Sequence, residues 1–263
     1  MLLGQGKHGG KAWQLYTECK ANGDKLPVEA YGFVLERINT QDDIAGVVEQ
    51  IKKVLEDMKE AGVAPTNDTL MALLHPISIL ARGKEYETCC RRALDFLAEF
   101  RVLGVEFSLG VYKYLLDIFV PTGSDTDKKR NIRHKNNILA SILDEIEGKE
   151  FWPATHLKDF NFFPTAMKVC NVQSNAGLAW RLDKYLNTGN NSLLLSDFLL
   201  EAIYYTNFLN TILQNDSFEA AMKLHNEIVP HSCTPMYNYF SNLLNHLHTS
   251  GGLQHLPKVQ RLS

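Results

Sequence analysis

The sequence predicts an all-α protein, a right-handed α-solenoid of helix–turn–helix units. Three observations predict it. First, a helix ending recurs: LYTECKANGDKLP at 15–27, VLEDMKEAGVAP at 54–65 and FLAEFRVLGVEF at 96–107. Second, the apolar residue four before the glycine anchors a longer series. Cys19, Met58, Phe100, Ile146, Tyr185 and Ile228 follow one another at spacings of 39, 42, 46, 39 and 43. Third, the apolar spacing inside each unit is helical rather than strand-like. A period between about 20 and 50 residues means stacked supersecondary units that bury their faces against neighbours.

The elements follow in order. The chain opens with KAWQLYTECK, which carries the first anchor, Cys19. The anchor helices of the next units show the i, i+3, i+4, i+7 rule in Ile51, Val54, Leu55 and Met58, and again in Ala93, Phe96, Leu97 and Phe100. Ala221, Leu224 and Ile228 fit the same rule. Gly23, Gly62, Gly104 and Gly189 stand four residues after their anchors, where a left-handed residue stops a helix, and Pro27 and Pro65 bar continuation. Glu150 and Ser232 hold that place in the other two units. A partner helix alternates with each anchor helix, near Tyr31–Ile38, Thr69–Leu80, Val111–Phe119, Phe162–Cys170, Leu199–Leu213 and Met236–Leu247. The expectation is one array over 1–263, about six helical pairs, truncated at both ends, with a loop insertion over 120–135.

Composition narrows the function. Hydrophobic residues make up 45% and charged residues 22%, as in an ordinary folded domain, and the net charge is −3. A surface that gripped nucleic acid throughout would be basic, so any RNA contact is local. The longest apolar run, Leu70–Ala81, is too short to cross a bilayer. The opening MLLGQGKHGG carries no Arg-rich amphipathic presequence.

The five cysteines, at 19, 89, 90, 170 and 233, form no CxxC pair and read as free thiols in a reducing compartment. His231, Cys233, His246 and His248 are metal-ligand types, but their paired spacing is one residue rather than two to four. No metal and no cofactor is expected. Phe162, Phe163, Tyr204, Tyr205 and Phe208 could stack bases, yet their apolar neighbours make them core. No HExxH, GxSxG or phosphate-loop signature occurs, and no carboxylate pair sits in an apolar setting, so no enzyme is expected and no small-molecule substrate.

EQIKKVLEDMKEAGVAP at 49–65 and DSFEAAMKLHNEIVPHSCTP at 216–235 resemble the end of a pentatricopeptide repeat. The stretch 151–235 is more specific. FWPATHLKDFNFFPTAMKVC, LAWRLDKYLNTGNN, YYTNFLNTIL and HNEIVP resemble the pentatricopeptide-repeat proteins of animal mitochondrial small ribosomal subunits. That resemblance implies a mitochondrial (matrix) location, a role in translation, and contact with small-subunit ribosomal RNA and neighbouring ribosomal proteins. It also implies a position near the path of messenger RNA, a further candidate partner. The base-reading code of such arrays needs a polar residue early in the first helix and another at the unit junction. Here the junctions are Val28, Thr66 and Ser108, and the early positions are Gly32, Leu70 and Tyr112, which spell no code.

One segment stands out electrostatically. DTDKKRNIRHK at 125–135 holds Lys128, Lys129, Arg130, Arg133 and Lys135 against two aspartates, a local excess of +3. Cations so grouped track phosphates and gain from counterion release. They are the candidate RNA-binding residues; the alternative is a solvated insertion. The expected function is a structural, RNA-contacting ribosomal protein. Two alternatives compete with it: a free mitochondrial RNA-processing or stability factor, and a helical scaffold for proteins alone.

Overall fold

The computed structural model describes residues 9–38, 44–83, 85–120, 132–149, 151, 161–195, 197–215, 218–229 and 234–249. These form twelve α-helices, one 3-10 helix and no strand among the described residues. They divide into two compact units, 1–138 and 139–263.

In the first unit, α1 (Gly9–Ala21), α3 (Ile44–Glu60) and α5 (Tyr86–Val102) carry the anchors Cys19, Met58 and Phe100. Their partners are α2 (Val28–Glu36), α4 (Asn67–Leu80) and α6 (Leu109–Phe119). The partners lie side by side, α2 on α4 and α4 on α6. Helix α3 packs on both α2 and α4, and α5 on both α4 and α6. Helices α3 and α5 therefore each wedge between two partner helices, which is how a solenoid buries more than one face per helix.

The second unit repeats the plan. The anchor helices are α7 (Ile132–Ile146), α9 (Ala176–Leu186) and α11 (Phe218–Ile228). The partners are α8 (Phe162–Val172), α10 (Phe198–Asn215) and α12 (Tyr237–Thr249). Helix α10 packs on α8 and α12, and α9 on α8 and α10. A 3-10 helix, Asn191–Leu195, closes against α9. The helix α7 takes in Arg133 and Lys135, two positions that the sequence reading assigned to a loop.

The anchors are the core. Met58 is 0% exposed, Phe100 1%, Ile146 0%, Tyr185 6% and Ile228 7%; Cys19 is half-buried. In the first three units the helix ending turns on the anchor's own carbonyl. After α3, Gly62 sits at φ +70° and donates to Lys59 O at 3.1 Å, while Val63 N reaches back to Met58 O at 2.8 Å. Cys19 O accepts from Asp24 N and Phe100 O from Val105 N, both at 3.0 Å, so three successive units share this Schellman closure. A Cβ at Gly62 would meet nothing within 4 Å, so the backbone conformation selects glycine, not lack of room.

The fourth and fifth units depart from the pattern. The left-handed residue after Ile146 is Gly148, two residues on, so the stop comes earlier than the expected position 150. After Tyr185, Gly189 is left-handed, and Tyr185 O accepts from Thr188 N at 3.1 Å and from the Asn191 side chain at 3.0 Å, not from the amide five residues on. A Schellman closure also ends α8, where Ser174 takes φ +50° and Asn175 N reaches Cys170 O at 3.0 Å.

Two outcomes follow. Phe100→Ala removes a fully buried ring and is expected to cost about 3–5 kcal/mol in a denaturant titration. Ser174→Gly relieves a left-handed non-glycine residue and is expected to stabilise the fold by about 0.5–1 kcal/mol, measured as a higher denaturation midpoint with unchanged slope.

Candidate RNA-contacting surface

Of the five candidate cations, Lys128, Lys129 and Arg130 lie outside the described residues. Arg133 and Lys135 lie on α7, whose side chains are described only from residue 138 onward. What the structure does resolve is the use made of the polar groups elsewhere along the partner helices.

The junction hydroxyls are helix caps. Thr66 Oγ1 accepts from Thr69 N at 3.3 Å and Thr69 Oγ1 accepts from Thr66 N at 3.1 Å, a reciprocal capping box at the start of α4. Ser108 Oγ accepts from Gly110 N at 3.2 Å at the start of α6. The two caps are tied through Asn67, which donates from Nδ2 to Ser108 Oγ at 3.1 Å and accepts from Ser108 N at 3.0 Å. Of the early helix positions, Leu70 and Tyr112 are buried. Thr66, Asn67 and Ser108 are thus engaged in capping and in tying α4 to α6.

The second unit is tied by amides. Asn171 Nδ2 donates to Asn207 Oδ1, and Asn242 Nδ2 to Asn210 Oδ1, both at 3.0 Å, joining α8 to α10 and α10 to α12. Met236 N donates to Thr206 Oγ1 at 2.8 Å at the entry to α12. Sequence reasoning missed this ladder. Its signal was there: asparagines 36 and 32 residues apart, inside apolar helices that asparagine disfavours.

Anchor helices are bridged by charge. Asp57 on α3 takes the Tyr16 hydroxyl and the Lys20 ammonium of α1, the latter at 3.1 Å. The Asp57 carboxylate raises the Lys20 pKa above its ordinary value. On α9, Arg181 reaches Asp144 at 2.6 Å and Glu147 at 2.6 and 2.9 Å. That guanidinium holds the Glu147 carboxyl below the usual range. On α6, Lys113 sits 2.6 Å from Asp117. Arg37 lies over the Phe33 ring, 4.0 Å from its centre. The acidic balance of the chain thus acts locally, as carboxylates that hold these cations.

The remaining candidates resolve as packing. Phe162, Phe163, Tyr204 and Phe208 are fully buried, and half-buried Tyr205 meets Tyr204 edge-on. Burial pushes the Cys89 and Cys170 thiols up to about 12. His246 stacks on Phe218, and His231 and Cys233 lie outside the described residues. Among the described residues no group of three or more His, Cys, Asp or Glu is placed to hold a metal. None of the described helices is long and apolar enough to cross a membrane.

If the junction hydroxyls serve only as caps, replacing Thr66 and Ser108 by Ala is expected to cost about 1 kcal/mol each. RNA affinity, measured where the variant is fully folded, is expected to stay unchanged.

No family model matches the chain. It is similar to small ribosomal subunit protein mS39 of Drosophila melanogaster, 32% identical over 251 residues, covering 95% of this chain and 36% of that protein. The mS39 proteins of Danio rerio and Mus musculus are 28% and 27% identical, each over 98% of this chain. The chain spans 36–38% of the length of these relatives. Among solved structures, the pentatricopeptide repeat protein PPR10 in complex with an 18-nt psaJ RNA element covers 93% of this chain and 36% of its own. Its TM-score is 0.46 at 18% identity, too distant to bear on function. Over nearly its whole length, then, the chain is similar to about a third of the length of the mS39 proteins.

Proposed function

We propose that this chain serves as a structural, RNA-contacting element of the small subunit of the mitochondrial ribosome, in the matrix. The similarity to proteins named as small ribosomal subunit mS39, over 95–98% of the chain, carries this reading. The mechanism is placement. Within each unit, stacked helical pairs offer surfaces that dock neighbouring ribosomal proteins and ribosomal RNA. Lys128, Lys129, Arg130, Arg133 and Lys135 meet phosphates, and messenger RNA passes near the array.

The arrangement of polar groups supports a scaffold over a base reader. Thr66, Ser108, Asn67, Asn171, Asn207, Asn210 and Asn242 hold helices to one another. Phosphate contacts position a protein without reading sequence, and that suits a protein whose place is fixed by an assembly.

Sedimentation tests the assembly. The tagged chain, expressed in mitochondria, is expected to travel with small ribosomal subunits; recovery only in the free pool would overturn the reading. Replacing the five cations by Gln is expected to lower the slope of log affinity against log salt by up to about 0.7 per lost contact on single-stranded RNA. An unchanged slope would return the segment to a solvated insertion.

A further inference from the structure

The interface between α11 and α12 contains the buried imidazole of His225, 0% exposed. Its Nδ1 lies 3.1 Å from the Tyr239 hydroxyl of α12. The ring stacks on Tyr239, centres 5.6 Å apart and planes 24° from parallel, and meets Phe240 edge-on at 6.3 Å. Its Nε2 is buried and finds no hydrogen-bond partner among the described residues. A neutral imidazole carries one donor and one acceptor, so the Tyr239 hydroxyl satisfies one nitrogen in either tautomer.

A second proton changes this. Both nitrogens become donors, and Nε2 would hold a charged, buried N–H with no acceptor among the described residues. We propose that the His225–Tyr239 contact is a proton-sensitive latch: α12 stays docked on α11 while the ring is neutral and parts from it when the ring is protonated.

The surroundings offer the cation no rescue. From α12 the titratable groups are Tyr239 in contact, Tyr237, His246 stacked on Phe218, and His248. From α10 they are Glu201, Tyr205 and Tyr204, the last donating to Asp183. On α11 itself Glu219, Lys223 and Glu227 are exposed. None of them shifts the ring, and burial alone pushes the His225 imidazole below the usual histidine range. The sign follows. Docking is fully stable above the free histidine value of about 6.5 and weakens as pH falls below it. Parting also breaks the ties from Asn242 to Asn210 and from Met236 N to Thr206, so α12 opens as a unit.

Amide hydrogen exchange of the full chain between pH 7.5 and 5.5, corrected for intrinsic exchange, tests the latch. The opening constant of α12 is expected to rise by up to about tenfold per pH unit below about 6.5, while that of α4 stays flat. His225→Phe keeps a stacking ring without a titrating group and is expected to abolish the slope. A flat wild-type α12, or the same slope in the Phe variant, overturns the proposal. Should that variant not fold, nitrogen-15 NMR of the wild-type imidazoles decides. The latch requires His225 to stay neutral in docked α12 at pH values below the free histidine value of about 6.5; a charged His225 in docked α12 overturns it.

Discussion

In each of the first three units one anchor carbonyl governs where the anchor helix stops. In the first three units the buried anchor's C=O accepts the backbone amide five residues on, across a left-handed glycine. The same residue fills the core and ends the helix, so burial and termination are locked in register. At Tyr185 the Asn191 side chain joins the Thr188 amide on the anchor's carbonyl. A fixed stop fixes the entry of the next partner helix, which then packs beside its predecessor. Helix α2 on α4 on α6, and α8 on α10 on α12, follow from that repetition.

Polar groups then set how neighbouring repeats register. Along the partner helices the ties are neutral: Asn67 with Ser108, Asn171 with Asn207, Asn242 with Asn210. Along the anchor helices they are ionic: Lys20 with Asp57, and Arg181 with Asp144 and Glu147. The ionic ties are partly exposed and worth little each. Among the amides and caps, Asn210 is buried and Asn67, Ser108, Asn171 and Asn207 are half-buried, where leaving a partner unpaired costs more. A side chain that holds a repeat in place has no free edge for a base. In the proposed function, such an array would meet RNA through its cations rather than through these polar groups.

Much of this was legible in the sequence. The six anchors all fall in the predicted helices, and each predicted partner helix is present, because apolar spacing and left-handed glycines are local signals. Met58 and Phe100 were readable as core for the same reason. Gly148 was not readable as the stop after Ile146, since a 46-residue spacing hid the shortened ending. Ser174 was missed because a non-glycine left-handed residue has no composition signal. The asparagine ladder was missed because it joins residues 32–36 apart, and only packing brings them together. Of the candidate site, the segment 125–135 was visible as a charge run, and Arg133 and Lys135 prove to start a helix rather than end a loop. The caps at Thr66 and Ser108 were visible as junction residues, but their use as caps needed the backbone geometry.

The central claim is that polar residues here build the array instead of reading bases. The most direct measurement is the affinity of the full chain for a panel of single-stranded RNAs of equal length and unrelated sequence, at one salt concentration. A scaffold that meets phosphates predicts affinities within roughly threefold of one another, because phosphates carry no base information. A single sequence bound on the order of a thousandfold more tightly than the rest, the discrimination typical of a specific reader, would contradict it.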